Sequence, residues 1–181
     1  PCHSKVWKIA LQRARIEIES RAGLVAHGDR DLLAAIEILH RVGARADAAL
    51  SEAREKLAAF LGCHALDVVF TSGATESANT VFHHAAHTLA PDAEVWLSAI
   101  EHPCVTEAAR KYFPRRHRFI PVTCAGQVDL DWLAKKLKRT RPGLLAMLAV
   151  NNETGVVQPT REVLQLCQAH EVPFFCDATQ W

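Results

Sequence analysis

Residues 144–150, Leu-Leu-Ala-Met-Leu-Ala-Val, constrain the fold most, because the run contains no polar side chain. A strand of that kind needs both of its faces covered, which is the habit of parallel sheets wrapped by helices. The apolar run at residues 68–70 and the segments 95–99, 117–122 and 172–176 read as further strands. Helical spacing separates them. Ala74, Ala78, Val81, Phe82, Ala85, Ala86 and Leu89 fall on one face. Residues 101–112 form a second helical stretch. Leu130, Leu133 and Leu137 follow Asp129, a good N-cap, and residues 159–170 make the last helix. Strands alternating with helices predict a three-layer α/β/α domain with a mainly parallel sheet.

Ahead of this region, Val42, Ala46, Ala49, Leu50, Ala53, Leu57, Phe60 and Leu61 share one face of a long helix that Gly62 ends. A separate helix is expected from Asp29 or Asp31 through Leu39. Lys5, Lys8, Arg13 and Arg15 are interleaved with Val6, Trp7, Ile9 and Leu11, which suits a basic amphipathic helix. The expected organisation is a divergent helical segment over residues 1–37, then one domain over 38–181.

Composition narrows the classes of function. The chain carries 21 basic and 20 acidic residues in 181, a balance that points to neither nucleic acid nor a charged membrane surface. No apolar stretch is long enough to span a bilayer, and no secretory signal pattern opens the chain. The six cysteines are scattered without a Cys-x-x-Cys pair, so a reducing compartment, the cytoplasm, is expected. His83 and His87 have i, i+4 spacing but no cysteine or carboxylate nearby in sequence. They read as solvated helix residues, and no metal site is expected.

The stretch Thr71-Ser72-Gly73-Ala74-Thr75-Glu76-Ser77 carries the chemistry. It joins an expected strand to an expected helix. Gly73 allows a close approach of the backbone, and the first helical amides point outward with the positive end of the helix dipole behind them. Such a turn suits a phosphate, although the same residues also describe an ordinary capped helix. Other polar residues follow strands in the same way: His102, Asn152, Asp177 and Gln180. In open α/β sheets a ligand site gathers at those carboxyl ends.

Gly73-Ala74-Thr75-Glu76-Ser77 resembles the phosphate-cradling turn of the cysteine desulfurases, pyridoxal-phosphate enzymes of the class V aminotransferase superfamily. Glu101-His102-Pro103, Asn151-Asn152-Glu153-Thr154-Gly155 and Asp177-Ala178-Thr179-Gln180 match in the same order. The resemblance runs from about His40 to the end. Before that, neither the short strand nor the Asn-Ala-Thr-Thr segment usual in the family is found.

The resemblance implies pyridoxal 5'-phosphate as cofactor. Gly73, Ala74 and Thr75 would hold its phosphate, and Asp177 would pair with the pyridine nitrogen. His102 would stack on the ring and move protons. Asn152 and Gln180 would donate hydrogen bonds to the ring hydroxyl oxygen or to substrate. The implied reaction takes sulfur from L-cysteine and leaves alanine and an enzyme-bound sulfur, in a homodimer that serves sulfur-acceptor proteins. Selenocysteine lyase shares these motifs, and a non-catalytic fragment or interaction subunit is the rival of another class. The family's Schiff-base lysine, in a Ser-x-His-Lys segment, and its persulfide-forming cysteine would both follow Trp181. The expectation is therefore a truncated form, inactive alone, with strand edges and apolar faces such as residues 144–150 partly uncovered. Lys135 and Lys136 are poor replacements for the lysine, and Cys104 reads as a small buried cysteine rather than a nucleophile.

Overall fold

The computed structural model describes residues 6–9 and 29–181. The chain divides into two compact units, one formed by Pro1–Arg13 with Thr71–Trp181 and the other by Ala14–Phe70.

In the first unit the strands are β1 (Val6–Ile9), β2 (Val95–Ser98), β3 (His117–Ile120), β4 (Leu144–Leu148) and β5 (Phe174–Asp177). They form one sheet in the order β1-β5-β4-β2-β3, and every pairing is parallel. Four helices cover it: α2 (Ala74–Thr88), α3 (Pro103–Tyr112), α4 (Leu130–Leu137) and α5 (Thr160–Ala169). Alternation along each strand sends side chains to opposite faces. Val95, Leu97, Leu144, Ala146 and Phe175 pack with Phe82 of α2 and Val105 and Ala109 of α3. Phe82 meets the rings of Phe113 and Phe175 edge-on, with centroids 6.4 and 6.1 Å away. Trp96, Ile120, Leu145, Met147 and Phe174 pack on the other face with Leu133 and Leu137 of α4 and Val163 and Cys167 of α5. The three-layer α/β/α reading holds.

Residues 144–149 are buried throughout, which corrects the expectation that this run is partly uncovered. The reason is position: β4 sits between β5 and β2, with helices on both faces.

A second correction concerns the beginning of the chain. Val6–Ile9 is not helical but a strand that pairs parallel with β5, Val6 opposite Phe174 and Ile9 opposite Asp177. Val, Trp and Ile suit a strand, and the edge of β5 offers unpaired backbone groups that a helix would leave open. The rest of the amphipathic helix expected there lies outside the described residues.

In the second unit, α1 runs unbroken over Asp29–Leu61, so the two helices expected on either side of residue 40 are one. Gly43 sits inside it. A glycine there costs about 1 kcal/mol relative to alanine, and the good helix formers around it, among them Ala44, Ala46, Ala48 and Ala49, offset that. Gly62 ends the helix as expected, with φ at 67° and the Cys63 N–H returning to Ala58 O at 3.0 Å. A short 3-10 turn, Ala65–Asp67, follows.

Residues 68–70 are not the buried strand that their apolar run suggests, for Val69 is 70% exposed. Three residues are too few to compete for a ladder, and Arg54 holds them instead. Its Nε donates to Val68 O at 3.2 Å, and its guanidinium lies 5.2 Å from the centre of the Phe70 ring.

Candidate active site

The parallel sheet brings the carboxyl ends of its strands to one edge. β5 ends at Asp177, which pairs in register with Leu148, the end of β4. β2, the other neighbour of β4, ends at Ser98 and leads into Glu101 and His102. Three of the residues singled out above, His102, Asn152 and Asp177, therefore follow or end adjacent strands.

His102 is the N-cap of α3. Its Nδ1 accepts the Cys104 N–H at 3.1 Å, so the other ring nitrogen, Nε2, carries the proton in the neutral ring. Pro103 at the first helical position fixes the direction of departure. The ring is thus anchored at one edge while the residue stays exposed.

Asp177 is half-buried. Its Oδ1 accepts the Thr179 N–H at 3.0 Å and also the Thr179 hydroxyl. No hydrogen bond to Oδ2 occurs among the described residues, so one carboxylate oxygen is open to a donor. Gln180 is exposed just beyond.

Asn152 is exposed, and its neighbour Asn151 builds the loop. Asn151 Oδ1 accepts from Glu153 N, Thr154 N and the Thr154 hydroxyl at 3.0, 2.8 and 3.0 Å. Its Nδ2 donates to Ile100 O at 3.2 Å, which ties the loop after β4 to the bend after β2. The loop closes with Gly155 at φ 71°.

The turn before α2 is held from within. Thr71 Oγ1 and Ser77 Oγ are 2.6 Å apart, and the Glu76 carboxylate accepts the Ser72 N–H at 2.7 Å and the Ser72 hydroxyl at 2.5 Å. The Ser72 hydroxyl and amide hold the Glu76 carboxyl below the usual carboxylate range. The Ser77 N–H makes the first helical bond, to Gly73 O at 3.1 Å. The amides of Ala74, Thr75 and Glu76 have no acceptor among the described residues. A Cβ at Gly73 would meet nothing within 4 Å, so open space lies against the turn.

These features fit pyridoxal phosphate. The free amides and the dipole of α2 suit a phosphate, and an open carboxylate oxygen suits a protonated pyridine nitrogen. His102 offers a fixed, exposed ring. The thiol of Cys104, two residues on, is pushed up to about 11 by burial, with the Asp177 and Glu101 carboxylates adding to the rise. It stays a thiol at neutral pH, in line with the reading of a buried, unreactive cysteine. Lys135 and Lys136 lie on α4. His83 and His87 lie on α2 with ring centroids 4.2 Å apart, and His87 Nδ1 is 2.8 Å from His83 O.

Three residues that brace the loops around the site have no role assigned from the sequence: Asn151, Glu101 and Gln158. Asn151 has a local signal, since the polar run Asn-Asn-Glu-Thr-Gly is the pattern of a turn that an asparagine side chain closes two and three residues on. Gln158 has none, because Val128 and Gly126 are distant in sequence, and the burial of Glu101 has none, because its Leu148 partner is distant although Ser98 is near.

The Aminotransferase class-V family model matches residues 31–181. The mitochondrial cysteine desulfurase of Arabidopsis thaliana is 35% identical over 144 residues, 78% of this chain and 32% of that protein. The cysteine desulfurase IscS of Actinobacillus succinogenes is 34% identical over 144 residues, 78% of this chain and 35% of its own. The chain thus spans about a third of the length of the curated relatives it matches. Among solved structures, a NifS-like protein superposes with a TM-score of 0.70 at 30% identity, over 77% of this chain and 39% of that one. SspA in complex with cysteine gives 0.67 at 29% identity, over 76% and 40%. The match to 31–181, taken with a fold of the same architecture, places this chain in the class V aminotransferase family, where its curated relatives are cysteine desulfurases.

Proposed function

We propose that this chain is the cofactor-binding portion of a cysteine desulfurase that takes sulfur from L-cysteine and leaves alanine. Members of the family use pyridoxal phosphate. The observation that carries the reading is the convergence of His102, Asn152 and Asp177 on adjacent strand ends, in a chain with a phosphate-ready turn at Thr71–Ser77. In this reading the cofactor-binding portion runs over residues 38–181, and Val6–Ile9 adds an edge strand to its sheet.

When bound, the cofactor supplies an electron-withdrawing ring. The residues of this chain do the rest. The amides at the start of α2, with Thr75, bind the phosphate. Asp177, whose Oδ2 has no hydrogen bond among the described residues, would pair with the pyridine nitrogen and favour its protonated form. His102 would stack on the ring, with its Nε2 the nitrogen that carries a proton toward substrate. Asn152 and Gln180 orient the ring hydroxyl or the substrate. A homodimer, sulfur-acceptor proteins as partners and a cytoplasmic location complete the proposal.

The test joins residues 1–181 to the remainder of a curated relative and follows alanine formation from L-cysteine in single turnover. Asp177→Asn keeps size and removes charge. Electrostatic and proton-holding contributions of this kind are worth about 10²–10⁴ in rate, and a loss of that order is expected. Near-normal turnover in Asp177→Asn would overturn the assignment of this carboxylate to the pyridine nitrogen.

A further inference from the structure

Glu101 is the only buried carboxylate among the described residues. Its Oε1 accepts the Ser98 hydroxyl and, at 2.9 Å, the Leu148 N–H. A single oxygen therefore joins the last residue of β2 to the last residue of β4. The flanking residues are fixed as well. Ile100 O accepts from Asn151 Nδ2, and His102 accepts from the Cys104 N–H. The other oxygen, Oε2, is buried without a hydrogen-bond partner. A negative charge there, stripped of water and given no donor, is strongly unfavourable, and a proton on Oε2 removes it.

We infer that Glu101 is a positioning residue: Oε1 ties β2 to β4, Oε2 carries a proton, and the clamp sets where His102 stands relative to Asp177 without placing a second negative charge beside it. The consequence for the cofactor rests on the pyridoxal phosphate reading, whereas the clamp itself does not.

The electrostatics agree. Burial pushes the Glu101 carboxyl up to about 7, the hydrogen bonds from Ser98 and Leu148 pull it back, and the Asp177 carboxylate adds to the rise. The groups facing it are Asp177 and Cys176 from β5, Cys104 from α3, Ser98 from β2 and the Leu148 N–H from β4. Both thiols are pushed up to about 11, first by burial, so they are neutral near pH 7. The folded state thus holds the Glu101 proton more tightly than the unfolded chain, whose carboxyl titrates near 4.5. The stability this contributes is complete below about pH 4.5 and is lost as pH rises through about 7.

The test is thermal unfolding of the 181-residue chain and of Glu101→Gln across that pH range, with amide exchange at Leu148 and a titration with pyridoxal phosphate. The amide of Glu101→Gln keeps an acceptor at Oε1 and cannot titrate. Between pH 4.5 and 7 the unfolding equilibrium of the parent should move toward the unfolded state by on the order of 10²-fold more than that of Glu101→Gln. Glu101→Leu removes the acceptor. Its Leu148 amide should exchange about tenfold faster, and it should bind pyridoxal phosphate about tenfold more weakly, while Glu101→Gln stays within about threefold of the parent. Equal pH slopes for the parent and Glu101→Gln overturn the protonated clamp, and unchanged Leu148 exchange in Glu101→Leu overturns the tie between strands. Should Glu101→Leu not fold, the pH slope of Glu101→Gln decides the matter alone. Absence of binding by every form overturns the cofactor reading and the role of the clamp toward His102, and leaves slope and exchange to decide the clamp.

Discussion

Replacing Gln158 by methionine isolates the hydrogen bonds that hold the loop after β4. Gln158 is 3% exposed, and its side chain bridges two loops. Oε1 accepts the Val128 N–H at 3.0 Å, and Nε2 donates to Gly126 O at 2.9 Å. Methionine has nearly the same length and volume, so packing changes little while both bonds go. Val128 is 2% exposed, so its orphaned N–H stays dry, at a cost of about 1–3 kcal/mol. Gly126 is half-buried, and its carbonyl regains water, which limits that loss to about 0.5–1 kcal/mol. The net expectation is a destabilisation of about 1.5–4 kcal/mol. In a chain of this length that lowers the Tm by about 3–16 °C. Differential scanning calorimetry measures it, and amide exchange at Val128 shows whether the freed N–H is the cause. Gln127→Met is the control: Gln127 is exposed, with one bond from Nε2 to Val157 O at 2.8 Å, and should cost less than about 0.5 kcal/mol. Equal Tm values for Gln158→Met and the parent would refute the reasoning.

Two substitutions in the adjacent asparagines separate loop building from ligand contact. Asn151→Ala removes three acceptor contacts and one donor contact and should lower stability by about 1–2 kcal/mol in thermal melts, whereas Asn152→Ala should leave the Tm unchanged and weaken pyridoxal phosphate binding. Gly143→Ala places a Cβ 2.7 Å from Leu89 Cδ1 and 3.2 Å from Ala93 Cβ, and denaturant titration should show a loss of about 1–2 kcal/mol, since Leu89 can turn aside but the Ala93 methyl cannot.

The sequence made the sheet legible where the pattern is both local and strong. Leu144–Leu148 announces a strand covered on both faces because its apolar run has no polar side for water and, between Gly143 and Asn151, is too short for a buried helix. Asp129 announces the start of α4, and its side chain does accept the Trp132 N–H at 2.9 Å. Short runs were ambiguous. Val68, Val69 and Phe70 look like a strand but have no partner strand, while Val6–Ile9, interrupted by Lys8, looks like a helix but finds the free edge of β5. The difference lies in a long-range partner that no local window contains. The candidate site divides in the same way. His102, Asn152 and Asp177 stand out because polar residues follow apolar runs. Gln158 does not, because its donor is 30 residues away, and Glu101 shows itself only as part of a short matching segment, since the Leu148 N–H that marks its clamp is 47 residues away.

The central claim is that the turn before α2 and the end of β5 belong to one pyridoxal phosphate site, and amide chemical shifts of the labelled 181-residue chain test it most directly. On titration with pyridoxal phosphate, the account predicts shifts at residues 73–76, at His102 and at residues 177–180. Inorganic phosphate alone should move residues 73–76 only. Shifts confined to the basic cluster of Lys135, Lys136, Lys138 and Arg139, with residues 73–76 and 177–180 unmoved, would contradict it.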